Sequence, residues 1–303
     1  MCRPAGSDAL IRVAPEISDA LRRRAPVVAL ETTLVAHGFP EGEGVAVGLE
    51  SAQAVRDAGA LPATVGVLDG ALRIGLSDSE LERFTAVARK VGPRDLAAAV
   101  VQAAVGATTV GGTLAACRAA GIGFLGTGGI GGVHRGNRMD ISADLGELAR
   151  TEALVVSSGI KSLLDVPATM ELLESLGIPV VGLGTGDLPL FYTAHGGPPL
   201  PARVESAGEA AELARTHWRL KRHSALLLVQ PPPVSIDDVE PLIEEVLAAA
   251  DQEGVTGPAV TPFVLRRLHE RSGGRTLRVN RDLVVANARL AAEVAVAYRA
   301  GET

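Results

Sequence analysis

The chain has 303 residues, is 47% hydrophobic and only 3% aromatic, and carries a formal net charge of −6 with a pI of about 5.6. That acidity disfavours nucleic-acid binding, since no basic run exceeds Arg22-Arg23-Arg24, although a local basic pocket can still hold phosphate. Two cysteines, Cys2 and Cys117, supply neither a disulfide framework nor a four-ligand metal site. No run approaches the ~20 apolar residues of a membrane span. The N-terminus, with Asp8 and Glu16, has no signal-peptide pattern. Aliphatic richness of this kind suits a soluble α/β enzyme, and a cytoplasmic one is expected.

Residues 1–24 read as a peripheral N-terminal segment with a short helix over 17–24, and 25–303 as one catalytic domain. Pro26-Val-Val-Ala-Leu30 reads as a buried strand ending in Glu31-Thr32-Thr33, with His37-Gly38 in the next loop. Burial at a strand end disfavours the charged carboxylate, which is how a glutamate becomes a general acid near neutral pH. Pairing with a nearby arginine is the other reading of Glu31. Apolar positions at helical spacing (Val47, Leu49, Ala52, Val55) predict a helix over 42–59. Ala63-Thr-Val-Gly-Val-Leu68, Asp69-Gly70 and Ala71-Leu-Arg-Ile74 form a hairpin pattern with a type I′ turn. Ser77-x-x-Glu80 is a capping box opening a helix to about residue 87. Lys90 precedes Gly92-Pro93 and a helix start with Asp95 in its first turn, so it is either a solvated lysine or a phosphate ligand.

Helices are predicted over 96–105 and 111–120, around a strand end at Thr108-Thr109-Val110. Short apolar runs, Gly123-Phe-Leu-Gly126 and Leu154-Val-Val156, bound the most polar stretch of the chain. Five glycines within 128–136 let backbone approach a ligand closely, and His134 and Arg135 add charge there, which favours a phosphorylated small molecule. Lys161 follows the second run; a lysine at a strand end is a candidate nucleophile or phosphate ligand. Asp140 and Asp144, four apart, can supply a carboxylate-and-water site for Mn²⁺ or Mg²⁺. Further on come a helix over 166–176 ended by Gly177, a strand over 179–183, and a Gly/Pro-rich stretch over 185–201 holding Phe191, Tyr192 and His195. That stretch is a lid or a surface excursion. Helices over 207–222 and 236–253 flank a strand over 225–229, and helices over 261–271 and 282–300 close the chain. The alternation predicts a single three-layer α/β/α domain with a mixed, largely parallel β-sheet.

Several common sites are excluded by pattern. The glycine run does not continue as G-x-G-x-x-G into a helix, and there is no P-loop and no G-x-S-x-G elbow. The six histidines show no zinc-hydrolase spacing.

Ala29-Leu-Glu-Thr-Thr, His37-Gly-x-Pro40, Lys90-Val-x-x-Arg-Asp-Leu96, Gly106-Ala-Thr-Thr-Val110, Thr127-Gly-Gly-Ile-Gly-Gly-Val-His-Arg-Gly136, Asp140-Ile-Ser-Ala-Asp-Leu145, Thr261-Pro-Phe263 and Asn287-Ala288 occur in collinear order. Together they resemble the pseudouridine-5′-phosphate glycosidase family, also called indigoidine synthase A-like, over roughly residues 25–300. The resemblance implies a homotrimer, a divalent cation (usually Mn²⁺), and reversible cleavage of a C–C glycosidic bond to ribose 5-phosphate and uracil. It makes Glu31 the proton donor, Lys161 the covalent nucleophile and Asp140 the metal ligand. Lys90, Val110, Ser142, Ala143 and Asp144 become substrate contacts, with His134 and Asn287 as further pocket candidates. The chemistry is consistent with those residues. A C-glycoside has no leaving heteroatom, so a two-carboxylate route suits it poorly. Ring opening with protonation by Glu31 lets a lysine amine form an imine at C1′, through which the bond to the base is broken. The chain departs from the family pattern at Glu41-Gly-Glu-Gly44, at Gln230-Pro-Pro-Pro233 and at Pro258, positions expected on the base side of the pocket. A related C-ribosyl synthase, joining ribose 5-phosphate to another aglycone, is the alternative.

Overall fold

The computed structural model describes residues 9–255 and 260–301. Cys2, Asp8 and Pro258 lie outside the described residues. The main sheet has eleven strands. Its central strands, Leu61–Leu68, Val27–Glu31, Phe124–Gly126, Leu154–Ser157, Leu226–Val229 and Val180–Leu183, lie side by side and all parallel. The largely parallel order therefore holds, and the antiparallel exceptions cluster at one side. Ala71–Ile74 returns along Leu61–Leu68, and Gly106–Thr108 also pairs antiparallel to it, carrying Arg89–Val91 beside it.

Alternation along these strands produces the layers. Ala29, Leu125, Val155 and Leu227 face one apolar core, while Val28, Leu30, Phe124, Val156 and Leu228 face the other. Successive side chains on a strand point to opposite faces, so a sheet apolar on both faces must be covered on both. Helices Glu43–Asp57 and Ala207–Arg219 and the C-terminal half of Arg275–Ala300 cover the second face, and most other helices cover the first. Gly126 shows how close the long helix comes: a Cβ there would lie 2.8 Å from the Ala288 Cα.

The hairpin turn is type I′ in geometry, with φ of 51° at Asp69 and 71° at Gly70. The capping box at Ser77 and Glu80 forms, yet its helix stops at Leu81. The N-terminal segment is less peripheral than composition implies. Ile11–Val13 adds a parallel edge strand beside Ala71–Ile74, and helix Pro15–Arg22 buries Ile17 and Ala20 completely. Three predicted helices are shorter or shifted: Leu96–Val101, Glu240–Gln252 and Ala207–Arg219. The last helix begins seven residues before its predicted start, at Arg275, because Asn280 and Arg281 interrupt the apolar pattern without interrupting the helix.

A second, three-stranded sheet went unpredicted. Val133–His134 and Asn137–Ile141 form a hairpin, and Leu164–Asp165 pairs antiparallel to its first strand. Two-residue strands are too short to show a period, so the glycine-rich run reads as loop. No helix among the described residues is long and apolar enough to cross a membrane.

Replacing Gly126 with alanine is expected to destabilise the protein by about 2 kcal/mol in chemical denaturation, because the intruding atom meets helix backbone that cannot swing aside.

Candidate active site

Parallel strands deliver their C-terminal ends to one edge of a sheet, where ligands of open α/β folds bind. Strand Val27–Glu31 is buried along its whole length and ends in Glu31, which is only 3% exposed. The turn beyond it is pinned. Thr32 Oγ1 donates to the Val65 carbonyl at 2.7 Å and accepts the Thr108 amide at 2.9 Å. From the adjacent strand end, Thr127 Oγ1 donates a short hydrogen bond to Glu31 Oε1. Burial pushes the Glu31 carboxyl above its ordinary 4.5, although Lys161, the Thr127 hydroxyl and Lys90 all act to lower it. The cations that Glu31 faces are lysines, so the alternative arginine pairing is not what meets it.

A cavity of about 280 Å³ opens over this edge. Glu31, Lys90, His134, Asp140, Ser142, Ala143, Asp144 and Lys161 all line it, which unites eight of the ten residues singled out in the sequence. Lys90 comes from strand Arg89–Val91, held by its parallel pairing to Gly106–Thr108. Burial and the charge of Lys161 push its amine down from the ordinary 10.5, against Asp144, Glu31 and Asp140. Burial likewise lowers the half-buried His134, with Asp140 opposing. Lys161 is half-buried, its amide donating to the Ile130 carbonyl at 3.2 Å. The chain has 29 lysines and arginines, of which only Lys90, Lys161 and Lys221 are lysine. Two of the three meet in this cavity.

Asp144 plays a different part from Asp140. It is 4% exposed, and its two oxygens accept the Gly111 amide at 2.8 Å and the Gly131 amide at 2.9 Å. It thus clasps the N-terminus of helix Val110–Ala120 to the glycine-rich run, a placement the helix dipole favours. Gly131 is required here, since a Cβ would sit 2.3 Å from Ser142 Oγ and 2.8 Å from Asp144 Oδ2. With both oxygens engaged, Asp144 is a poor partner for Asp140 in holding a cation. Among the described residues no group of three His, Cys, Asp or Glu side chains is placed to hold a metal; of the other cavity carboxylates, Asp95 Oδ2 accepts the Gly92 amide at 3.1 Å and Glu31 accepts the Thr127 hydroxyl, while Asp140 lines the wall.

Two predicted residues lie elsewhere. The Val110 side chain is fully buried in the core, so any substrate contact from it must use its backbone. Asn287 is also fully buried, behind the glycine-rich run rather than in the cavity. Its Nδ2 donates to the Thr127 carbonyl at 2.8 Å and to Ser158 Oγ at 3.2 Å, while its Oδ1 accepts from Gln230 Nε2 at 2.8 Å. Gln230, expected on the base side of the pocket, therefore braces Asn287 instead. Arg135 also turns away from the cavity, to the carbonyls of Ser162 and Leu164.

A second, smaller chamber of about 50 Å³ adjoins the first and shares Glu31, Thr33, Lys90, Lys161 and Thr261 with it. Its remaining wall is largely apolar: Leu34, Phe191, Pro262, Leu265 and Val284, with His37 and Asn280. The 185–201 stretch is neither a lid nor a surface excursion at this point. Phe191 and Tyr192 are buried in it, and the Phe191 amide donates to the Ser158 carbonyl at 3.0 Å. Phe191 holds φ of 65°, a conformation that costs an L-residue on the order of 1 kcal/mol or more. Sequence reasoning missed Thr127 and Phe191 as wall residues. Thr127 was legible as the residue closing a strand beside the glycine run, whereas nothing local marks Phe191.

A buried acid and two amines at the carboxyl edge of a single α/β domain define the site of an enzyme acting on a polar, anionic small molecule. The chain belongs to the indigoidine synthase A-like family, whose sequence profile, described as "Indigoidine synthase A like protein", matches residues 16–297. It is 46% identical to a pseudouridine-5′-phosphate glycosidase of Chloroflexus aurantiacus over 305 residues, covering 95% of this chain and 98% of that protein. Among solved structures it is similar to the prealnumycin C-glycosynthase AlnA in complex with ribulose 5-phosphate, with a TM-score of 0.87, 40% identity and coverage of 98% and 99% of the two chains. An indigoidine synthase A-like protein of Thermotoga maritima matches equally well in shape, with a TM-score of 0.87, 36% identity and coverage of 99% and 100%.

Exchanging Asp144 for asparagine places an amide NH₂ against a backbone N–H and is expected to cost about 2 kcal/mol of stability. Asp140→Asn, at the cavity wall, is expected to stay within about 0.5 kcal/mol of the parent. Urea denaturation of the two variants measures both.

Proposed function

We propose that this chain is a pseudouridine-5′-phosphate glycosidase, cleaving the C–C bond between C1′ and the base to give ribose 5-phosphate and uracil, reversibly. The observation that carries the reading is the wall shared by the two chambers. Glu31, Lys90 and Lys161 stand between a polar cavity suited to a sugar phosphate and an apolar one suited to a flat ring. The names of the relatives support the same reaction.

In this reading the Glu31 carboxyl, its pKa raised by burial, gives its proton to the ribose ring oxygen as the C1′–O bond opens. The Lys161 amine attacks C1′. Its nitrogen lone pair then expels the base carbon, which takes up a proton, and C1′ remains as an imine on Lys161. Water hydrolyses that imine, releasing ribose 5-phosphate and the free amine. Lys90, a second cation facing Glu31 and Lys161, balances phosphate charge. A divalent cation such as Mn²⁺ fits Asp140 as a single carboxylate ligand, with waters and substrate oxygens completing its shell; bound there it would neutralise substrate oxygen charge.

The alternative, a C-ribosyl synthase using another aglycone, draws on the likeness to AlnA. The apolar chamber favours the first reading. Its volume corresponds to a few waters, room for one ring, and a polycyclic aglycone would have to displace Phe191 or Leu265. The homotrimer and the cytoplasmic location remain part of the proposal. Exposed apolar side chains at Met139 and Ile141, flanking Asp140 on an edge strand, support self-association, which light scattering would read.

Incubation with pseudouridine 5′-phosphate and Mn²⁺ is expected to release uracil. Lys161→Ala should lower turnover by roughly 10³-fold or more, and borohydride should trap a ribose-phosphate adduct on Lys161. An adduct found on Lys90 would reassign the nucleophile, and absence of uracil release alongside coupling of a larger ring would favour the synthase.

A further inference from the structure

Arg135 is the one charged residue of the glycine-rich run that the cavity does not absorb. His134 ends the first strand of the hairpin and Arg135 opens its turn. His134 lines the polar cavity, whereas Arg135 lines a separate open groove that it shares with Ser162, Leu164 and Glu240. There its Nε donates to the Leu164 carbonyl at 3.1 Å. Its Nη2 donates to the Ser162 carbonyl at 2.7 Å and to Glu240 Oε1 at 2.8 Å.

Those two carbonyls belong to the turn that carries Lys161. The turn is closed by the Leu164 amide donating to the Lys161 carbonyl at 3.0 Å. It is tied to the hairpin by the pairing of Leu164 with His134. Leu164 lines both the catalytic cavity and the groove behind it, so the turn is a partition one residue thick. Lys161 occupies one side of that partition and the Arg135 guanidinium grips the other. A planar fork of donors suits two carbonyls fixed at set positions, whereas a lysine offers a point charge on a flexible stem.

We propose that Arg135 is a positioning residue for Lys161, acting through the backbone of the 161–164 turn, and not a phosphate ligand. The inference rests on Lys161 being the reacting amine. Its physical content is that attack on C1′ needs the amine held in a near-attack geometry, where about 1 Å of misplacement costs on the order of 10²-fold in rate. Glu240, half-exposed at the start of its helix, holds the guanidinium from behind, and its own loss should matter less.

The test compares wild type, Arg135→Ala, Arg135→Lys and Glu240→Ala by steady-state kinetics, by the rate of borohydride trapping with ribose 5-phosphate, and by amide deuterium exchange. In Arg135→Ala the trapping rate and kcat should fall about 10- to 100-fold, with KM within about 2-fold of wild type. Exchange should rise in the 161–164 segment, and added methylguanidinium should restore part of the rate. Arg135→Lys should fall between, and it carries the same readouts if Arg135→Ala does not fold. A raised KM with kcat retained would identify a phosphate ligand and overturn the proposal, as would trapping and exchange equal to wild type. If wild type itself traps no sugar phosphate, the proposed reaction fails, and the exchange comparison still judges the clamp.

Discussion

A carboxyl group at the end of a fully buried strand, facing lysines rather than arginines, is the constraint on which the site depends. Desolvation disfavours the ionised form of Glu31 more than the two amines favour it. An arginine could not serve in their place, since it stays charged and a guanidinium on Glu31 would fix the carboxylate in its ionised, acceptor-only state. The scarcity of lysine in an arginine-rich chain sharpens this point. Where cations only decorate the surface the chain uses arginine, as its ion pairs show, and it places two of its three lysines where a titratable amine has a use.

Around that centre, polar groups buried for structural reasons hold the cavity-lining ones. Asp144 fixes the glycine-rich run to a helix start, and Asn287 ties the Thr127 carbonyl to Ser158, so that the strand ends carrying the hydroxyl partner of Glu31 and the approach to Lys161 keep one spacing. The Asp144 carboxylate and the Asn287 amide are both satisfied by backbone or side-chain partners, as buried polar groups generally are. The long C-terminal helix can supply Asn287 only because Gly126 admits it so closely.

Much of the architecture was legible. Strands of four or more residues with continuous aliphatic runs stood out, as did the type I′ hairpin at Asp69-Gly70 and the capping box at Ser77. What escaped was short: Ile11–Val13, Val133–His134 and Leu164–Asp165 owe their strand form to partners distant in sequence. At the site, residue type and local position singled out Glu31 and Lys161 as strand-end residues, Lys90 beside a helix start, His134 in the glycine-rich run and Asp140 by its carboxylate spacing. They were not sufficient to tell a residue that faces the cavity from one that holds it in shape. Asn287 and Arg135 look as functional as any in the chain, and only the direction in which the chain turns, a property of tertiary pairing, sends them to backbone carbonyls. Gln230, which departs from the family pattern, is likewise a brace rather than a wall.

The buried acid is most directly tested by infrared difference spectroscopy of the protonated carboxyl stretch, comparing the wild-type protein with Glu31→Gln across pH. The expected result is a carboxylic acid band present in wild type, absent in the variant, and lost on titration only above pH 4.5. Because folding raises this pKa, wild type should also lose stability relative to the variant as pH climbs from 4.5 through that titration. A band that disappears at or below pH 4.5 would show Glu31 to be an ordinary ionised carboxylate, and would contradict its role as the proton donor.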